Sequence, residues 1–161
     1  MSIRRQSTVL LLPVAIAWAV DVALTSSLQP AAYWAGEYAK AAEETVIFHL
    51  LLVQHPLLFF AGNGAYIAFW CLIIVTFRPR IGRYVAAVFV VGHAWGASTW
   101  LWDAPHASSL IFALQTSISL GLTACLERSI RWEQEAATKP AATPRRPWGA
   151  RKPGLLGAFV P

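Results

Sequence analysis

Asp21 and His93 are the residues whose types could do chemistry in this chain, because each interrupts an otherwise apolar stretch. An ionisable group inside such a stretch is costly and generally has a partner or a task. Asp21 stands ~10 Å in from the end of its segment, counted from the constant rise of a helix. His93 lies near the middle of a later segment and Gln115 well inside the last one, at similar depth. A carboxylate, an imidazole and an amide at one level could hydrogen-bond across helices. Such a group satisfies atoms that hydrocarbon cannot. It serves either as a structural clamp or as a ligand or proton site, and Asp21 could instead face water. Gly92 and Gly96 bracket the histidine as Gly-His-Ala-Trp-Gly, a small-xxx-small spacing that lets helices approach closely.

His49, His55 and His106 fall near the opposite ends of apolar segments from most of the arginines, with Glu43, Glu44 and Asp103 nearby. They are the candidate metal ligands, but neither His-x-x-x-His nor Glu-x-x-His occurs, so ordinary interfacial histidines are the simpler reading. A bis-histidine haem between His55 and His93 is a further alternative. No Gly-x-Ser-x-Gly, phosphate loop, dinucleotide fingerprint or Cys-x-x-Cys is present. Cys71 and Cys125 read as packed thiols rather than a disulfide. No catalytic residue and no cofactor are therefore expected.

The elements that must position these residues are helices in lipid. Of 161 residues, 57% are hydrophobic and 13% charged, about half the charge of a soluble domain. Four apolar segments emerge: Thr8–Leu28, Val46–Phe77, Tyr84–Trp102 and Ala107–Leu126. The second contains no Asp, Glu, Lys or Arg at all. As one straight helix it would reach ~48 Å, well beyond a hydrocarbon core of ~30 Å. Pro56 is the expected break, because it lacks an N–H and disfavours helical geometry at His55. Leu57–Phe77 then spans, with Val46–His55 at the outer surface. The fold class is all-α: a transmembrane bundle of four helices (8–28, 57–77, 84–102, 107–126) within a domain of residues 1–137. The apolar run after Arg4 and Arg5 reads as an uncleaved first helix, since it is long and Asp21 interrupts it.

Charge sets the orientation. The net charge is +5, and twelve of the 13 basic residues fall on one side of the four segments; only Lys40 falls on the other. The positive-inside rule makes the basic side cytoplasmic, with both termini there. Nucleic acid is not needed to explain these charges; the lipid bilayer is the expected partner, with a membrane protein or a second copy beside it. Tyr33, Trp34, Tyr38, Trp100 and Trp102 mark the outer boundary, and Trp70, Phe77, Tyr84 and Trp132 the inner one. Gln29–Thr45 reads as a short interfacial helix, with Lys40 placed to pair with Glu37 or Glu44. The fourth helix is expected to continue through Glu127, Arg128, Arg131 and Glu135. Residues 138–161, rich in Pro, Gly, Ala and Arg, read as a disordered tail. Its Arg145, Arg146, Arg151 and Lys152 could touch anionic headgroups, or simply be solvated.

The stretch Asp21-Val-Ala-Leu-Thr25, then Tyr33-Trp34-Ala35-Gly36, Glu44 and His55-Pro56, resembles small uncharacterised bacterial four-helix integral membrane proteins. The resemblance is confined to the N-terminal part of the chain and stops soon after Pro56. It implies four helices and an inner-membrane location, and carries over no functional residue. The functional expectation is a non-enzymatic scaffold or accessory subunit. The alternatives are a small oligomeric, proton-linked carrier built on Asp21 and His93, or a haem-binding electron carrier.

Overall fold

The computed structural model describes residues 8–138, and these are all-helical, with no strand among them. The basic tail, with Arg145, Arg146, Arg151 and Lys152, lies outside the described residues, as do Arg4 and Arg5. Helix α1 spans Leu11–Ser27, α2 Ala31–Trp34, α3 Val46–Leu52, α4 Pro56–Thr76, α5 Pro79–Thr99 and α6 Ala107–Thr138, with a 3₁₀ turn at Tyr38–Lys40.

Prolines and caps set the boundaries. Helices α4 and α5 both open on proline, whose missing N–H is tolerated in the first turn. His55, before Pro56, is extended (φ −172°, ψ 140°), and its Nδ1 accepts the Leu57 amide at 3.1 Å. That residue divides the long uncharged run into α3 and α4. Phe77 and Arg78 are likewise extended ahead of Pro79, which ends α4. Helix α6 runs unbroken for 32 residues, through Glu127 and Arg131 to Thr138.

Helices α1 and α5 form the central pair, and α4 and α6 each lean against both of them. The core is a seam of small and branched residues: Leu10, Val14 and Ala17 from α1 and its cap against Ala86, Val90 and Ala94 from α5. Ile118 and Leu122 of α6 close it on one side, and Ile74 of α4 on the other. At Gly82 the chains nearly touch, since a Cβ there would stand 2.7 Å from the Ile74 carbonyl oxygen. Helix α3 folds back on α4, where a Cβ on Gly62 would overlap the Leu51 side chain.

Two helices, Pro56–Thr76 and Ala107–Thr138, are long and apolar enough to cross a membrane. In the most apolar window of each, only 17% and 11% of the residues are buried. Core helices of a soluble protein would be mostly buried. The expected four spans are thus reduced to two that qualify by length and composition. Helix α1 has 17 residues, about 25 Å of rise. Helix α5 begins at Pro79 rather than at the expected Tyr84, so it includes Arg80 and Arg83.

The segment expected to be one interfacial helix, Gln29–Thr45, is a folded loop instead. It holds only the four-residue α2 and the 3₁₀ turn, separated by Gly36 at φ 101°, a conformation that ends a helix. The Gln29 amide pins the loop back onto α1. Its Nε2 donates to Thr25 O (2.9 Å) and Ala42 O (2.7 Å), while its Oε1 accepts the Ala42 amide at 2.8 Å. Tyr33, expected at a lipid boundary, is fully buried in a second small core with Leu52 and Phe59. Its hydroxyl donates to Leu52 O at 3.3 Å. Burial, and secondarily Tyr38, push its phenol above the ordinary value. Lys40 pairs with Glu37 at 2.6 Å.

Candidate functional site

Helix α5 carries the polar groups that tie the long helices together, and each uses a different face. His93 points toward α1. Its Nδ1 stands 2.7 Å from Asp21 Oδ2, with side-chain exposures of 11% and 19%. The imidazole nitrogen and the carboxylate oxygen share one hydrogen bond, whose donor is set by the tautomer. Gly96 leaves room for the carboxylate, since a Cβ there would sit 3.1 Å from both Asp21 oxygens. Gly92, the other glycine of the small-xxx-small spacing, has open space around it and takes no part. Aromatic rings hold the imidazole from the α4 side and from one turn below. Phe89 lies 4.2 Å away between centroids and Tyr66 lies 5.9 Å away.

Gln115 does not extend this pair. Its Nε2 donates to Ala94 O at 3.0 Å and to Ser98 Oγ at 2.8 Å, so it ties α6 to α5. Ser98 in turn donates to Ala94 O at 2.7 Å. Depth along a helix can be counted from sequence because the rise per residue is constant. The direction a side chain faces depends on which neighbour arrives there. Asn63 is buried and donates to Phe59 O within α4 at 3.1 Å.

The remaining histidines stand apart from this site. His55 is the exposed cap of α4, its ring edge against Tyr38 at 5.5 Å. His106 is exposed and in the left-handed region (φ 61°), where its carbonyl accepts the first amides of α6. His49 Nδ1 is buried without a hydrogen-bond partner among the described residues. Among the described residues no three His, Cys, Asp or Glu side chains group closely enough to hold a metal ion. His93 is level with Tyr66, eleven residues beyond His55, or roughly 16 Å along α4. Two imidazoles ligating one iron stand about 4 Å apart, each at about 2 Å as for other metals, so these two cannot share a haem.

Trp70, expected at the inner boundary, is half-buried and packs against Tyr66 and Phe89 at the edge of the core. Its Nε1 and that of Trp18 are buried donors without partners among the described residues. Cys71 and Cys125 are free thiols packed against the same core. At the other end of α5, Arg83 Nη2 bonds Glu133 Oε2 of α6 at 2.7 Å. By sequence alone Arg83 belongs only to the cytoplasmic charge count. Its wide separation from Glu133 along the chain leaves no local signal for the pair.

Compared with protein-family models, curated proteins and solved structures, the chain matches none of them. The resemblance of its N-terminal part therefore gains no support from these comparisons.

Proposed function

We propose that the chain is a multi-pass protein of the inner membrane, in which α1, α4, α5 and α6 all span and both termini are cytoplasmic. Within that reading it is a non-enzymatic scaffold or accessory subunit. One observation carries this: the long helices put apolar side chains outside and pair inward polar groups across helices at two places. Leu57, Phe69 and Leu72 of α4, Val88, Val91 and Trp95 of α5, and Phe112 and Leu120 of α6 are all exposed. Inside, Asp21 meets His93, and Gln115 meets Ser98 and Ala94. Apolar side chains outside and polar pairs inside suit lipid as solvent, which offers an inward polar group no water to bond. Helices α4 and α6, each with an apolar stretch that is mostly uncovered, are the faces available to a partner or a second copy.

Phosphatase and fluorescent-protein fusions after Phe77, Ala104 and Pro161 test the topology. Phosphatase activity is expected at Ala104 only, and activity at Pro161 would sink the four-span arrangement. A proton-linked carrier is the second reading, favoured by the carboxylate–imidazole pair flanked by Tyr66 and Phe89. Proteoliposomes with a pH gradient separate the two. The scaffold reading expects Asp21→Asn to lower stability with no change in proton flux. Flux lost in a variant of unchanged stability would replace scaffold by carrier.

A further inference from the structure

The mouth between the start of α5 and the end of α6 holds more positive charge than the described residues neutralise. Arg83 is mostly buried, at 14% side-chain exposure, and Glu133 engages one of its terminal nitrogens. The other, Nη1, is buried without a partner among the described residues. A buried donor on a charged group left unpaired is costly, so its surroundings call for an acceptor. Ser129, one turn before Glu133 on α6, adds a second such atom, a fully buried hydroxyl likewise without a partner there. Arg78 and Arg80 are exposed and make no ion pair among the described residues.

An open groove of ≈ 470 Å³ lies at this mouth, lined by Arg80, Arg83, Tyr84, Ala87 and Leu126. A second, of ≈ 410 Å³, shares Arg80 and adds Arg78, Ile81 and Glu133. The lining is amphipathic: guanidinium groups at the α5 start, then an aromatic ring, then apolar side chains farther along both helices. Across the two grooves three arginines meet one glutamate, and that glutamate is already paired.

The geometry points to a binding site for the headgroup phosphate of an anionic phospholipid at this mouth. The phosphodiester accepts from Arg80 and from the Arg83 guanidinium where it lines the groove, Tyr84 lies at the glycerol level, and an acyl chain follows Ala87 and Leu126. Arginine suits this role because its planar fork donates two parallel bonds to phosphate. A free inorganic phosphate offers the same oxygens, but it has no use for the apolar end of the groove. The site rests on the membrane reading proposed for the chain, in which this mouth faces the cytoplasmic leaflet, where basic residues attract anionic lipid.

The test uses the full chain in nonionic detergent. Native mass spectrometry measures its affinity for short-chain phosphatidylglycerol, for phosphatidylcholine with the same chains, and for inorganic phosphate. Phosphatidylglycerol is expected to bind at least fivefold more tightly than phosphatidylcholine. Arg80→Gln should weaken phosphatidylglycerol about fivefold, the worth of one basic residue near anionic lipid. Glu133→Gln frees Arg83 and should tighten it by a similar factor, a gain that damage to the fold cannot mimic. Equal affinity for the two lipids, or no response in both variants, overturns the site. So does inorganic phosphate binding as tightly as phosphatidylglycerol. Extraction from membranes by alkaline carbonate alone would instead defeat the membrane reading, a failure distinct from detergent-extracted protein with no lipid preference.

Discussion

Removing the Asp21–His93 bond should reveal one coupled unit rather than two independent polar residues. Asp21→Ala deletes the carboxylate, and His93→Phe keeps a ring against Phe89 (4.2 Å) and Tyr66 (5.9 Å) while deleting Nδ1. Each single variant strands a polar group. Asp21→Ala leaves the imidazole Nδ1 unpaired, a cost of about 1–3 kcal/mol. His93→Phe leaves the carboxylate held against Gly96, and should cost at least as much. The coupling between the two is smaller than either loss. Hydrogen bonds between membrane helices average about 0.6 kcal/mol and reach about 1.7 kcal/mol, because the unfolded chain also finds partners in lipid. A 2.7 Å contact with an ionisable partner belongs at the upper end, but 19% exposure of Asp21 lowers it. A coupling of about 1–1.5 kcal/mol follows. Equilibrium unfolding in mixed micelles, read through the fluorescence of the 8 tryptophans, gives all four corners of the cycle. The double variant should lose less than the two singles together. Additivity within about 0.3–0.5 kcal/mol would refute the coupling.

Gly82→Ala should destabilise by about 1–3 kcal/mol in thermal unfolding, because its Cβ meets the Ile74 carbonyl at 2.7 Å and backbone cannot step aside. Gly64→Ala, with open space around it on α4, should do the reverse, by about 0.5–1 kcal/mol. Equal effects at the two positions would contradict the described α4–α5 approach. Gln29→Ala removes three hydrogen bonds at once and should cost about 2–3 kcal/mol, with hydrogen exchange at Ala42 rising before that of the long helices. Unchanged exchange there would mean the loop holds without its clamp. Tyr33 is protonated more tightly in the folded chain, through burial first and Tyr38 second. Its contribution is therefore complete below the unfolded value near 10.0 and is lost as pH rises through the higher folded one. Tyr33→Phe should flatten that alkaline loss in a pH series of unfolding midpoints, and an identical slope would count against it.

Composition and spacing suffice for properties that one residue or one run dictates by itself. Long uncharged runs make helices, and a proline lacking an N–H cannot continue one, so α3 and α4 part at His55. Counting residues also puts Asp21, His93 and Gln115 at one depth, because rise per residue is constant along a helix. Azimuth is another matter. Asp21 reaches His93 because Gly96 admits the carboxylate, while Gln115 at the same level meets Ser98 on another face of α5. Residues 29–45 have helical spacing, yet the Gln29 amide and Gly36 hold them as a loop, and Tyr33 turns inward to Leu52. Arg83 and Glu133 meet only because α5 and α6 pack side by side. Local chemistry sets which segments are helical and how deep a residue lies; the partner of each polar group is chosen by packing between helices distant in sequence.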